Sequence, residues 1–261
     1  MQEQSRSLAG MVAVVTGAGA GLGRAAALHL ARAGATVVGL SLLSSELQAL
    51  EQAARQDGAP LKTMAVDVGT AEQVHQAATS VLTEFGRVDL LINNAGIIVV
   101  KPIDETSVEE WDRVMATNLR SAFLLTREFV PAMKHQSGGL IINVSSRSGV
   151  EGFVGECAYC PSKFGLEGLT KTLALELESW GIWVVSVTPG MGMKTPMSMT
   201  TYTEAERRRW RDPAELAPGF EVLAREVNGR HTGQRFDVWR LAQSGSIDGA
   251  HDENMLTRGV T

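Results

Sequence analysis

Met11-Val12-Ala13-Val14-Val15-Thr16-Gly17-Ala18-Gly19-Ala20-Gly21-Leu22-Gly23 is the stretch that decides the fold. Its first five residues form an apolar run of the kind a strand buried on both faces needs. Thr16-Gly17 bounds the run, glycines alternate through Gly23, and a helical pattern continues from Arg24 to Ala33. A glycine-rich turn between a strand and a helix start lets backbone N–H groups approach a pyrophosphate, which the helix dipole also favours. The generic spacing G-x-G-x-x-G is not met, because Leu22 or Arg24 falls where its last glycine belongs. The spacing is T-G-x-x-x-G-x-G through Gly17, Gly21 and Gly23, with Gly19 and Leu22 in the same turn. A tight turn without a ligand is the competing reading, and the complete strand–turn–helix context outweighs it.

Outward from this turn, strand and helix patterns alternate. Further apolar, β-branched runs lie at 36–40, 64–66, 88–92, 140–144, 182–187 and, weakly, 235–239. Amphipathic patterns separate them at 22–33, 44–56, 70–85, 107–135 and 157–179. Repeated βα units of this length predict a parallel sheet with helices on both faces. No Pro/Ser-rich linker divides the chain, so residues 1–241 are expected to form one domain, with a substrate loop at about 189–211. Asp212-Pro213 reads as a helix start, and Pro218 must bend or break that helix. Residues 242–261 are polar and Gly/Ser-containing, which suggests a disordered tail or an arm on a neighbouring subunit.

Tyr159-Cys160-Pro161-Ser162-Lys163 sets a phenol and an ammonium four residues apart. On a helix the two share one face, and a nearby cation is expected to lower the phenol's value from about 10. Alone, the pattern is weak: a lone tyrosine is usually a packing residue, and a lone helical lysine is usually solvated. It gains meaning from Leu90-Leu91-Ile92 running into Asn93-Asn94-Ala95-Gly96. It gains more from Asn118 on a helical pattern, from Leu140–Val144 ending in Ser145-Ser146, and from Pro189-Gly190 after a strand.

In this order and at these spacings, the chain resembles a short-chain dehydrogenase/reductase of the single-domain kind over roughly residues 8–241. The resemblance implies a doubly wound Rossmann fold, α/β, with a seven-stranded sheet in the order 3-2-1-4-5-6-7 and hydride transfer with NAD or NADP. It implies that Tyr159 is the general acid in reduction and the general base in oxidation. Lys163 would support the phenolate and bond the nicotinamide ribose. Ser146, thirteen residues before Tyr159, would polarise the substrate oxygen, and Asn118 would interrupt its helix to hold a relay water. Ser145, alternating to the other face of the strand end, is expected to be structural.

Cofactor contacts implied by the same resemblance are Gly17, Gly19, Gly21, Leu22, Gly23, Ser41, Asp67, Val68, Asn94, Ala95, Gly96, Tyr159, Lys163, Pro189, Gly190 and Thr195. Asp67 is equally placed to cap the helix starting near Thr70. The strand 36–40 ends in Ser41-Leu42, where NAD-preferring relatives carry an aspartate that bonds the ribose 2′-hydroxyl. Its absence removes a barrier to NADP, and Ser41, Ser44 and Ser45 offer uncharged donors to a phosphate. The balance tips slightly to NADP, with NAD the alternative. After Pro189 the segment carries one residue more than the family's P-G-x-x-x-T before Thr195, and Gly192 is expected to make it flexible. Met191, Met193, Met197 and Met199 crowd this loop, with Tyr202 and Trp210 following. That suits an adaptable lid over an apolar substrate.

Arg147, Glu151 and Glu156 put charge near the serine and tyrosine, facing either solvent or a charged or amine-bearing substrate. Cys157 and Cys160 bracket Tyr159; small buried side chains is the stronger reading, and a redox pair the weaker. With no second cysteine pair and no histidine cluster, no metal site is expected.

Lys+Arg of 24 against Asp+Glu of 29 gives a net charge of -5, with nothing to suggest nucleic acid. The first ten residues have no apolar signal core, no stretch has membrane-span length, and the two cysteines do not suggest a disulfide-built exterior. A cytoplasmic protein is expected, and the resemblance implies a homotetramer acting on a small carbonyl or alcohol. The principal expectation is a ketone/secondary-alcohol oxidoreductase. A C=N (imine) reductase and a non-catalytic, cofactor-binding regulatory protein stand as alternatives.

Overall fold

The computed structural model describes residues 7–252. Seven strands form one parallel sheet: β1 Val12–Thr16, β2 Thr36–Ser41, β3 Leu61–Ala65, β4 Leu90–Asn93, β5 Gly139–Val144, β6 Ile182–Thr188 and β7 Arg235–Asp237. Their spatial order is β3-β2-β1-β4-β5-β6-β7, the doubly wound order anticipated. In the central strands, side chains alternate between two buried layers, so these strands are apolar throughout. Ala13, Val15, Leu90, Ile92, Val185 and Val187 face one layer, with Leu22, Ala26 and Phe220. Val14, Leu91, Ile141 and Val184 face the other, with Val74, Leu125, Phe129 and Leu177.

The helices are α1 Gly21–Arg32, α2 Ser44–Gln56, α3 Ala71–Phe85, α4 Val108–Met115, α5 Ser121–His135, α6 Tyr159–Leu177, α7 Pro196–Thr201, α8 Glu204–Arg207, α9 Pro218–Glu226 and α10 Val238–Ser244. Because β1 pairs with β2 on one side and β4 on the other, a crevice opens at the carboxyl ends of these strands, where the winding reverses.

Four boundaries differ from the sequence reading. The amphipathic pattern 107–135 is not one helix: a π-helical turn, Ala116–Arg120, joins α4 to α5 and carries Asn118. The third strand begins at Leu61 rather than at 64, because an edge strand with half-exposed faces carries little apolar signal. Asp212 caps a short 3-10 turn, Pro213–Glu215, and Pro218 then sits at the start of α9, where its missing N–H costs nothing. The domain does not stop at 241. Residues up to Ser244 complete α10, and Ile247 and Ala250 are buried against the core. Asp252 pairs with Arg235 of β7. Polarity misled here, since a few well-placed apolar residues and one ion pair suffice to dock a segment. The rest of the expected tail, from 253, lies outside the described residues. Among the described residues no helix is long and apolar enough to cross a membrane.

Candidate active site

The glycine turn is tied to its neighbours by backbone and short polar groups. Thr16, buried at the end of β1, accepts the N–H groups of Asn94 and Ala95 through its hydroxyl, both at 2.9 Å. The Asn94 amide donates to the Thr16 carbonyl at 2.8 Å. Ala18 N–H donates to Leu40 O at 3.0 Å, which fastens the turn to the end of β2. Gly17 and Gly21 have φ of 64° and 55°, the left-handed region that favours glycine. A methyl group at Gly17 would lie 2.8 Å from Asn94 Nδ2, and one at Gly23 would strike the Gly17 carbonyl. Leu22 turns its side chain into the core, so only its backbone can serve a ligand. Ala20, which precedes α1, supplies no side-chain cap, and no acidic residue stands in the helix's first turn. The turn is therefore a close-approach cradle whose helix N–H groups have no capping side chain, and it fits a dinucleotide pyrophosphate.

Around this cradle lie the other expected contacts. A methyl at Gly19 would meet Ser41 Oγ at 2.8 Å and one at Gly96 would lie 3.7 Å from Lys163 Nζ. Asp67 accepts the Gly69 N–H at 2.9 Å and shapes its own turn; the residue before α3 is Thr70. Val68 is buried. Pro189-Gly190 follows β6, and Gly190, at φ 78°, packs against the Asp237 carboxylate. Thr195 caps α7 with a reciprocal Ser198 bond. Its methyl would touch a side chain at Gly21, at 3.2 Å, so this threonine closes over the glycine turn despite the extra residue.

At the end of β5 the two serines diverge, as strand alternation requires. Ser145 Oγ accepts from Arg235 Nη1 at 3.2 Å inside the protein. Ser146 caps a 3-10 turn, its Oγ accepting the Ser148 N–H at 3.2 Å, and its hydroxyl is near enough to the Tyr159 phenol to favour the phenolate. Tyr159 and Lys163 occupy the first turns of α6, with Lys163 Nζ 5.7 Å from the phenol ring centroid and donating to Val144 O at 2.8 Å.

Their acid–base balance departs from the sequence expectation. Burial pushes the Tyr159 phenol up, the Ser146 hydroxyl pulls the other way, and Glu156 and Tyr202 add to the rise. Lys163 is 3% exposed, and burial pulls it down to about 8, opposed by Glu167. The ammonium is aimed at a carbonyl and is itself desolvated, so it does not win the phenolate. In the chain alone, the phenol keeps its proton at neutral pH.

Asn118 is brought to the same place by the π-helical turn. Its Oδ1 accepts from Ile97 N–H at 2.8 Å, and its Nδ2 donates to Ile97 O at 2.9 Å and Ser162 Oγ at 3.0 Å. It thus pins the segment that follows β4, at Ile97, beside Lys163.

Sequence reasoning passed over Arg235 beneath these groups and set Glu156 toward solvent or substrate, where the structure buries it. Arg235, buried in β7, pairs with Glu167 of α6 and with Asp252 at 2.7 Å, and donates from Nη2 to Ser146 O at 2.9 Å. Glu156 is buried and accepts from Ser148 Oγ at 2.7 Å and Cys160 Sγ at 3.4 Å. A lone arginine in the weak apolar run 235–239 was the available signal for the first. Arg147 is exposed and Glu151 half-exposed, with Arg147 stacked 4.7 Å from the Phe153 ring.

Of the expectations for the surroundings, the cysteines follow the packing reading and Gly192 does not follow its own. Cys157 and Cys160 are free and engage different partners, Thr106 and Glu156, and burial raises the Cys160 thiol, which makes it less reactive. Gly192 does not loosen the lid: it makes room for the Trp210 indole. Backbone bonds Lys194 N–H to Arg211 O and Arg211 N–H to Gly192 O, at 2.9 and 3.0 Å, fasten the two ends of the lid. Tyr202 meets Trp210 edge-on, with centroids 5.0 Å apart.

Comparison with known proteins agrees with this fold. The family model for the short chain dehydrogenase matches residues 11–206. A 3-oxoacyl-[acyl-carrier-protein] reductase of Thermotoga maritima is 34% identical over 235 residues, covering 87% of this chain and 95% of the other. A cyclopentanol dehydrogenase of Comamonas sp. is 41% identical over 189 residues, covering 72% of this chain and 74% of its own. The crystal structure of a metagenomic short-chain oxidoreductase in complex with NADP superposes with a TM-score of 0.75 at 34% identity, covering 85% of this chain and 93% of that one. The chain belongs to the short-chain dehydrogenase/reductase family of oxidoreductases.

Proposed function

We propose that this protein interconverts a ketone and a secondary alcohol with NAD or NADP, through Ser146, Tyr159 and Lys163. The observation that carries the reading is that Ser146 at the end of β5 and Tyr159 at the start of α6 come together, with buried Lys163 beside them and the glycine cradle across the crevice. The nicotinamide cofactor, when bound, supplies or takes the hydride. The protein's share is the proton and the oxygen. A phenol kept protonated by burial is suited to give its proton to a carbonyl oxygen as negative charge develops there, and Ser146 offers that oxygen a second donor.

Gly17, Gly19, Gly21 and Gly23, with the backbone of Leu22, would hold the pyrophosphate. Asn94, Ala95, Gly96, Lys163 and Thr195 would line the remainder of the cofactor's path. Lys163 is suited to return a proton toward Tyr159, since a lysine drawn down to about 8 exchanges readily near neutral pH. Asn118 would anchor the backbone carbonyl of Ile97 at the solvent side of that relay. The named relatives that act on 3-oxoacyl groups and on cyclopentanol support ketone/alcohol chemistry, and the NADP-bound relative supports a nicotinamide dinucleotide. An imine substrate gains no support from Glu156, whose carboxylate is taken by Ser148 and Cys160. Self-association is proposed through the apolar groove of Met115, Leu119, Phe123, Gly165 and Leu169, beside exposed Phe164.

A panel of ketones, imines and secondary alcohols, followed at the nicotinamide absorbance with each dinucleotide, tests the reading. Turnover of a ketone or secondary alcohol is expected. Turnover of imines alone, or of nothing while a dinucleotide still binds, would overturn it.

A further inference from the structure

The end of β2 lacks the acidic residue that would accept a ribose hydroxyl, yet the fold brings a carboxylate to that place from elsewhere. Glu46 is the third residue of α2 and is half-buried. A methyl group at Gly19 would lie 2.5 Å from Glu46 Oε2, 2.9 Å from Glu46 Cβ and 2.8 Å from Ser41 Oγ. The bond from Ala18 N–H to Leu40 O holds the glycine turn against this strand end. Carboxylate, hydroxyl and glycine turn therefore meet at one point, where an open α/β sheet of this winding receives the adenosine ribose.

Two features separate this arrangement from a packing accident. The Glu46 carboxylate and the Ser41 hydroxyl make no hydrogen bond or ion pair with one another or with any other described side chain or backbone group. A carboxylate and a hydroxyl with no partner inside the protein are free to pair with the two hydroxyls of a ribose. In addition, no arginine or lysine stands anywhere from residue 36 to residue 54, so nothing in β2 or along α2 up to that point offsets the negative charge.

We infer that Glu46, assisted by Ser41, selects the dinucleotide without a 2′-phosphate, so that this chain takes NAD in preference to NADP. The inference rests on the dinucleotide reading of the glycine turn and goes beyond it by naming the discriminating residue. A ribose 2′-hydroxyl donates to Glu46, whereas a 2′-phosphate at the same position brings up to two negative charges against it. Ser41 is neutral and serves either ligand, which leaves the discrimination to Glu46.

Calorimetric titration of the purified protein with ADP-ribose and with 2′-phospho-ADP-ribose tests this without any turnover, and NADH and NADPH form a second pair. Unmodified ADP-ribose is expected to bind at least about tenfold more tightly, the size of one like-charge contact near a protein surface. Glu46→Gln keeps the shape and removes the charge. It is expected to recover most of that ratio by strengthening the phosphorylated ligand, with an unchanged melting temperature because Glu46 supports no other group. Equal or tighter binding of the phosphorylated ligand by the wild type would overturn the inference, as would a ratio that Glu46→Gln leaves in place. Failure of all four ligands to bind would remove the dinucleotide reading itself.

Discussion

The two ends of the crevice are constructed from different materials. At the β1–β2 end the surface is mostly backbone, formed by glycines and an uncapped helix start, with half-exposed Ser41 and Glu46 at its edge. At the β5–α6 end the working groups are side chains: Ser146, Tyr159 and Lys163, set above a buried lattice of Arg235, Glu167, Ser145 and Asp252. The first end has to admit a ligand closely, and removing side chains achieves that. The second has to hold a phenol, a hydroxyl and an ammonium to within a fraction of an ångström, which requires rotamers locked by a further layer of contacts. Binding and chemistry should therefore fail separately.

The sharpest break is Tyr159→Phe. Turnover is expected to fall by roughly a thousandfold or more, within the span of lost proton transfer and oxygen stabilisation. Calorimetric affinity for the dinucleotide should be nearly unchanged. Activity retained at a substantial fraction of wild type would remove Tyr159 from its role.

Arg235→Leu attacks the lattice and leaves the crevice surface intact. It removes the buried cation from Glu167 and Asp252, whose side chains are 8% and 9% exposed, and takes a donor from the Ser146 carbonyl. Breaking a buried pair from one side costs about 3–5 kcal/mol, so the urea midpoint should drop accordingly. Replacing Glu167 with Leu as well should restore part of the loss, and no restoration would mean that the pair is not coupled.

Lys163 sharpens the comparison through pH. Its value near 8 in the fold lies below the unfolded one, so from about pH 8 to 10 the unfolded chain binds more protons and stability rises with pH. The burial penalty, roughly 3 kcal/mol at full strength below pH 8, is relieved across that window. Relative to Lys163→Met, the wild type should therefore gain stability from pH 8 to 10 in chemical denaturation. A flat difference would show that the ammonium is not desolvated. Above about pH 10 the raised phenol of Tyr159 works in the opposite sense, because the unfolded phenol then ionises first.

At the glycine end the expected effect is smaller. Gly23→Ala places a methyl against the Gly17 carbonyl, and overpacking of this kind costs about 1–3 kcal/mol. Dinucleotide affinity should weaken while the Ser146–Tyr159 pair stays in place. Unchanged affinity would argue that the turn is only a tight connection.

The alternating strands and helices, the glycine turn and the shared helix face of Tyr159 and Lys163 were legible in local spacing. The sheet order and the parts given to Ser146 and Asn118 came instead from the family resemblance that the motifs carry. Period-two and helical patterns mark the elements, and a residue at a strand end or in the first turns of a helix inherits its direction from that element. The π-helical turn at Asn118 was foreseen only as an interruption. The docking of residues 242–252 was missed, since polar composition conceals a few buried contacts.

The order of residues along the chain settled which of them stand at the carboxyl ends of the strands. Their chemistry came from packing in three dimensions. Arg235 and Ser145 lie 90 residues apart. Glu46 reaches Gly19 only because α2 folds back over the turn, and Lys163 loses its proton more easily because other elements take its water away. Charge and burial depend on neighbours in space, and no spacing along the chain encodes those neighbours.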